Sequence, residues 1–247
     1  MGAQTMDLVL TEPRIRLTCL SNADAIETLD IDQLVDDLAD GTPPDFLTPE
    51  RLCVQDLVVV ATAEAAGRKA TLGSGRYVGL LGARDAVVEG HPFVHLDMAC
   101  VAPRARGQRL VSRLIAQAAA ERVGQTAILA ARTATPSWFR ALRHFASALS
   151  GAAFHPAPAG TVVKLRTAAL ARQIAGELCP EHRHDVATGV LHGNWAVPTR
   201  PVRRYASADA WCAAIEAESV ISERLLAVID LHDVTAGALR ELSQKVG

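Results

Sequence analysis

The stretch between residues 93 and 122 limits what this chain can fold into more than any other. F-V-H-L-D-M-A-C-V, residues 93–101, mixes β-branched, aromatic and long apolar side chains, the composition of a strand packed within a sheet. Pro103 stops it. Residues 108–122 carry Leu110, Leu114, Ala118 and Ala119 at helical spacing, a helix with one apolar side. The join between them, V-A-P-R-A-R-G-Q-R-L-V, holds Arg104, Arg106 and Arg109. A helix start leaves backbone N–H groups unpaired and already carries partial positive charge, so added cations there need a reason. Phosphate oxygens suit both the free amides and the forked guanidiniums. The plainer reading is three solvated arginines. Along the strand itself, alternation places His95, Asp97 and Ala99 on one face and Leu96 and Met98 on the other, with Cys100 opposite Asp97.

Around this unit the chain alternates between strand and helix patterns. Residues 14–20 read as a strand, 25–38 as a helix interrupted near Asp30, and G-T-P-P at 41–44 as a loop. Residues 56–62 and 76–85 are strands, joined through a small polar stretch at 65–75. Downstream, 126–131 is an apolar strand. Thr135 and Pro136 open a helix that reaches 149, and 160–167 is another strand. Past residue 167 the texture changes. Residues 168–178 are helical, 179–204 are rich in Pro, His, Gly and Arg and read as irregular, and 208–229 and 234–246 are helices. This is a mixed α/β domain over residues 1–167 with a mainly helical C-terminal extension over 168–247.

Composition narrows the function classes. The net charge of −2 gives no global field for nucleic acid or an anionic membrane, so any anion must be held locally. The basic run R-P-V-R-R at 200–204 is short and lacks interleaved aromatics. No run of about 18 apolar residues exists, and the N-terminus lacks a basic region followed by an apolar run, so neither a membrane span nor a signal peptide is expected. Five scattered cysteines, odd in number and without a close pair, argue for reduced thiols and a cytoplasmic protein. C-P-E-H-R-H-D at 179–185 matches no zinc spacing and reads as a polar loop, so no metal is expected. H-G-N-W-A-V-P at 192–198 reads as a loop pinned to the core by its tryptophan.

V-A-P-R-A-R-G-Q-R-L-V-S-R-L-I resembles motif A of the GCN5-related N-acetyltransferases: an apolar strand, V-x-P, then R/Q-x-x-G-x-G/A opening a helix. The resemblance covers roughly residues 14–167. It implies a mostly antiparallel central sheet flanked by helices, with acetyl-CoA, or another acyl-CoA, as co-substrate. Ala99, Cys100 and Val101 would lie along the pantetheine arm, and Arg106, Gly107, Gln108, Arg109, Leu110 and Val111 would wrap the pyrophosphate. Ser112 would add a hydroxyl. It further implies that a residue on the cofactor strand, Asp97 or His95, serves as the base; a His–Asp pair is suited to hold a proton near neutral pH.

The match departs from the family in two ways. Arg109 stands where the first loop glycine is usual, and Val111 where Gly or Ala is usual. The helix at 136–149 lacks the tyrosine that often protonates the departing thiolate; the chain's two tyrosines are Tyr77 and Tyr205. His144 and Ser137 are the substitutes on that helix. Two expectations therefore stand. One is an N-acyltransferase that acts by direct attack of a small-molecule or peptide amine. The other is a degenerate module that binds CoA or another phosphorylated ligand without turnover. A homodimer and a bacterial source, from the Ala/Arg-rich composition, complete the reading.

Overall fold

The computed structural model describes residues 14–38, 46–64, 76–158, 161, 164–193, 204–218 and 223–245. The readings at 41–44, 65–75, 194–198 and 200–203 lie outside them. Four strands open the fold as an antiparallel meander: β1 (Arg14–Ser21), β2 (Leu57–Glu64), β3 (Arg76–Val88) and β4 (His91–Val101). Val58, Val59 and Val60 of β2 are all fully buried, because helices cover both faces of the sheet. Helix α4 (Leu110–Arg122) crosses over to β5 (Ile128–Thr133), which pairs with β4 in parallel, as a crossover connection requires.

The other helices are α1 (Asn22–Thr28), α2 (Ile31–Leu38), α3 (Pro49–Cys53), α5 (Pro136–Ser147), α6 (Leu165–Leu178), α7 (Ala208–Glu218) and α8 (Ala236–Gln244). The interruption near Asp30 separates α1 from α2: the Asp30 carboxylate accepts the Gln33 N–H at 3.0 Å and starts the second helix. The sheet continues from β5 to β9 (Arg224–Asp230), then to the hairpin β8 (Val190–His192) and β7 (Arg183–Asp185), while β6 (Ala153–His155) also pairs with β9. The expected class, a mixed, largely antiparallel sheet flanked by helices, is what forms.

Three apolar clusters fill the two faces. One face carries α4, α5, α7 and α8 over Val94, Leu96, Leu129, Leu225 and Ile229. The opposite face is split. Helices α1 to α3 cover Val58, Tyr77, Leu80, Met98 and Cys100 at one side. Helix α6 covers Phe93, Ile128, Leu226 and Val228 at the other. The seam between these two clusters runs over the junction of β4 and β5.

The largest departure from the sequence reading is in the last third. The expected helix at 208–229 stops at Glu218, and R-L-L-A-V-I-D becomes β9. Leu225, Ala227 and Ile229 face the α4 side while Leu226 and Val228 face α6. An apolar run buried on both sides has no period to separate strand from helix. The expected strand at 160–167 is replaced at its end by α6, which begins at Leu165. Helix α3 and strands β6, β7 and β8 are too short to show a period. Residues beyond 167 thus supply most of α6, the helices α7 and α8, and also three strands of the central sheet.

Candidate active site

Strands β4 and β5 pair only at Val94–Leu129 and His95–Ala130. Past His95 the two strands part, and the edge of β4 from Leu96 to Val101 has β3 on one side and no β5 partner on the other. Just beyond the vertex of this splay, the β3–β4 register shifts. Ala83 sits opposite Leu96 and Gly82 opposite Met98, which leaves Asp97 as the extra residue of a β-bulge. The bulge resets the alternation. Ala99 and Val101 face α4 together with Leu96, whereas Met98 and Cys100 face α2. The expected shared face of His95, Asp97 and Ala99 is therefore corrected, and so is the placing of Cys100 opposite Asp97. His95 and Asp97 do share a side, and Cys100 is on it.

That side is the seam. Arg84 pairs with His95 across β3 and β4, and its guanidinium NH2 lies 3.1 Å from His95 Nδ1 and 3.5 Å from Asp97 Oδ1. His95 Nδ1 and Asp97 Oδ1 are 4.0 Å apart, beyond hydrogen-bond reach. Gln55, fully buried, donates from Nε2 to Asp97 Oδ2 at 3.0 Å and to the Arg51 carbonyl at 2.9 Å. A side chain at Gly82 would meet Met98 at 2.6 Å and Gln55 at 3.0 Å, so the glycine opposite the bulge is what lets Gln55 reach the carboxylate.

Electrostatics separates the two titratable groups. Burial pushes the His95 imidazole down to about 4; the Asp97 charge opposes this, and the Arg84 and Arg132 charges add to it. Burial by itself would raise Asp97, but the Gln55 hydrogen bond and the Arg84, His95 and Arg51 charges hold its carboxyl below the usual range. At neutral pH His95 is uncharged, so the cations and the Gln55 donor carry that effect. The expected His–Asp pair holding a proton near neutral pH does not form. The site instead joins a neutral imidazole to an ionised carboxylate through a guanidinium.

The turn before α4 is built differently. Pro103–Ala105 make one 3-10 turn, Gly107 has φ +82°, and Arg109 caps α4 with φ +54° and no side-chain cap. Arg109 thus holds the left-handed backbone that favours glycine, at the position where the resembling family has one. The loop keeps that conformation, at a cost of about 1–2 kcal/mol for the non-glycine residue. Arg106, Gly107, Gln108 and Arg109 are exposed, and neither arginine side chain makes a hydrogen bond or ion pair among the described residues, although the Arg106 N–H donates to the Pro103 carbonyl and the Arg109 carbonyl accepts the Arg113 N–H, each at 3.2 Å. Arg104 is different. It donates to the Tyr77 carbonyl at 2.7 Å and reaches the Asp37 carboxylate at 3.5 Å, fastening the turn to α2. Leu110 and Ser112 are buried, and Val111 is half-buried against the apolar cluster beneath α4.

Several residues escaped the sequence reading. Gln55 and Arg84 lie at distances in sequence that no local pattern connects to Asp97. Tyr77 is fully buried under α2. Tyr205 is half-buried against the α4 side and donates its hydroxyl to Glu223, whose other oxygen lies 3.5 Å from His192 Nδ1. His144 and Ser137 are exposed on α5. His155 of β6 and His184 of β7 meet edge to face, 5.9 Å between ring centres, and burial pushes each down to about 4. All five cysteines are free. Among the described residues no group of three His, Cys, Asp or Glu side chains is placed to hold a metal ion, and no helix is long and apolar enough to cross a membrane.

No protein-family model and no curated protein sequence matches the chain. Solved structures do. The NatC complex bound to Gag peptide and CoA is 12% identical over 52% of this chain and 79% of that one, with a TM-score of 0.36. The aminoglycoside N-acetyltransferase AAC(6')-Iy in complex with CoA is 21% identical over 56% and 88%, at 0.35. The diaminobutyrate acetyltransferase EctA from Paenibacillus lautus, in complex with L-2,4-diaminobutyric acid and coenzyme A, is 13% identical over 62% and 90%, at 0.38.

Proposed function

We propose that this chain is an acyl-CoA-dependent N-acyltransferase that moves an acetyl group to the amine of a small molecule or peptide. The observation behind it is the continuity of the splay with the arginine turn. The exposed Arg106–Arg109 segment and the free amides at the α4 start suit the pyrophosphate of acetyl-CoA. From Val101 back to Asp97 is about 13 Å of strand, at 3.3 Å per residue. Along it the unpaired β4 edge of Leu96 to Val101 can bond an extended amide-bearing arm as a missing strand would. Ala99, Cys100 and Val101 contribute backbone groups there. The thioester end of such an arm arrives at the vertex, beside His95 and Asp97.

The amine must lose a proton as it attacks the thioester carbonyl, and Asp97, ionised and 15% exposed, is the base, acting directly or through water. Solvent protonates the departing thiolate. A homodimer in the cytoplasm remains the expected setting.

Calorimetric titration with acetyl-CoA, beside an Arg106→Ala/Arg109→Ala variant, tests the reading. Binding that weakens in the variant supports it. Absence of binding up to millimolar acetyl-CoA overturns it. Binding without CoA release across a panel of primary amines would favour the module without turnover, which the strained Arg109 and the absence of a phenol on α5 also suit.

A further inference from the structure

Arg84 from β3 and Gln55 from the turn after α3 converge on the bulge of β4, and each closes one option for its protons. A guanidinium only donates, so at 3.1 Å from Arg84 NH2 the His95 Nδ1 must accept, and the ring proton rests on Nε2. The same NH2 reaches both groups, at 3.1 Å from His95 Nδ1 and 3.5 Å from Asp97 Oδ1, while these two atoms are 4.0 Å apart, too far to share a proton directly. Gln55 spends its amide hydrogens on Asp97 Oδ2 and the Arg51 carbonyl, which fixes the orientation of the amide. With Arg84 on one oxygen and Gln55 on the other, Asp97 accepts from two donors, the arrangement that favours the ionised form. The charged groups facing this pair are Arg84 from β3, Arg132 from β5 and Arg51 from α3. All three are cations.

We propose that Arg84 and Gln55 are positioning residues that divide the proton work of the site: they hold Asp97 at rest as the carboxylate that takes the proton of the acceptor amine, and hold His95 as a neutral imidazole whose buried Nε2–H, without a protein partner among the described residues, is left to donate to a bound ligand and takes no proton. This rests on the acyltransferase reading. In the step itself the amine nitrogen forms a bond to the thioester carbonyl carbon, and the carbon–sulfur bond breaks with its electron pair leaving on the CoA sulfur. The proton lost by nitrogen goes to Asp97, and the thiolate is protonated from solvent. Amine and acetyl-CoA thus give amide and CoA, and Asp97 returns its proton to solvent.

Nitrogen-15 NMR of the full chain with labelled histidine reads the proposal without an acceptor. His95 is assigned by its loss in His95→Gln. In the unaltered protein the His95 signals should report a protonated Nε2 and a bare Nδ1, unchanged from pH 8 down to pH 5. In Arg84→Gln the tautomers should mix and the His95 midpoint should rise by about one unit, and Arg84→Lys should restore part of the effect. In Gln55→Leu the Asp97 carboxyl, followed by carbon-13, should titrate higher by a similar amount. A protonated Nδ1 in the unaltered protein overturns the proposal, and this measurement needs no variant beyond the assignment. A His95 midpoint indifferent to Arg84→Gln in a folded protein overturns it as well. The two readings fail separately: loss of acetyl-CoA binding in calorimetry strikes the acyltransferase reading, whereas the wrong tautomer strikes this one.

Discussion

Two arginine-bearing regions flank the same strand and are built on opposite terms. Before α4, the side chains of Arg106 and Arg109 stand in solvent without protein partners among the described residues, on a backbone bent by two positive φ angles. At the bulge, Arg84 is tied to His95 and Asp97, with Gln55 closing the other side. On the proposed reading the exposed region receives the charge of a ligand. The enclosed region is a place where charge has already been arranged. A ligand's phosphate can replace water in the first at little structural expense. In the second, a single change leaves buried polar groups unpaired.

The widest separation between the two is expected from their simplest variants. Asp97→Ala should lower any turnover by roughly 10²- to 10⁴-fold while leaving the acetyl-CoA dissociation constant within about twofold, read by CoA release and calorimetry on the same preparations. Arg106→Ala/Arg109→Ala should do the reverse, weakening acetyl-CoA about ten- to a hundredfold with no loss of melting temperature. An equal effect of both variants on affinity would erase the distinction.

Acid should reach the enclosed region and spare the loop. His95, His155 and His184 have folded values of about 4 against an ordinary 6.5, so between those limits the unfolded chain binds more protons. Their contribution to stability is complete above pH 6.5 and is lost as pH falls through about 4. The depressed Asp97 adds loss in the same direction. Denaturant midpoints measured from pH 7.5 to 4 should fall steadily, and a flat profile would contradict the burial of these rings.

Smaller effects test the backbone of each region. Gly82→Ala pushes a methyl against Met98 and Gln55 and should cost about 2 kcal/mol, with the Asp97 carboxyl titrating higher. Arg109→Gly relieves the left-handed strain and should stabilise the fold by about 1 kcal/mol, while still weakening acetyl-CoA through the lost charge. Melting by circular dichroism and the same calorimetry measure both.

The loop was readable because everything that defines it is local: a proline, a glycine and arginines between a strand and a helix. The site around Asp97 was only half readable. His95 and Asp97 sit on one strand, within reach of a local pattern, but Arg84 and Gln55 come from other elements. The parity of Ala99 and Cys100 is not legible in the sequence, because a bulge is one extra residue against a partner strand, which a single strand's pattern does not contain. Strand β9 is hidden for a related reason, since burial on both faces removes the alternation that marks a strand.

Sequence determined the class of fold, the strand–turn–helix and the pair of residues at its root, because periodicity, proline and charge act over a few residues. Tertiary structure decided where β4 and β5 part, which way Arg104 turns and which of His95 and Asp97 carries charge. Those outcomes depend on desolvation and on partners 11 to 67 residues away in the chain, as in Arg84 with His95 and Arg104 with Asp37. Such contacts exist only once the sheet has closed around them.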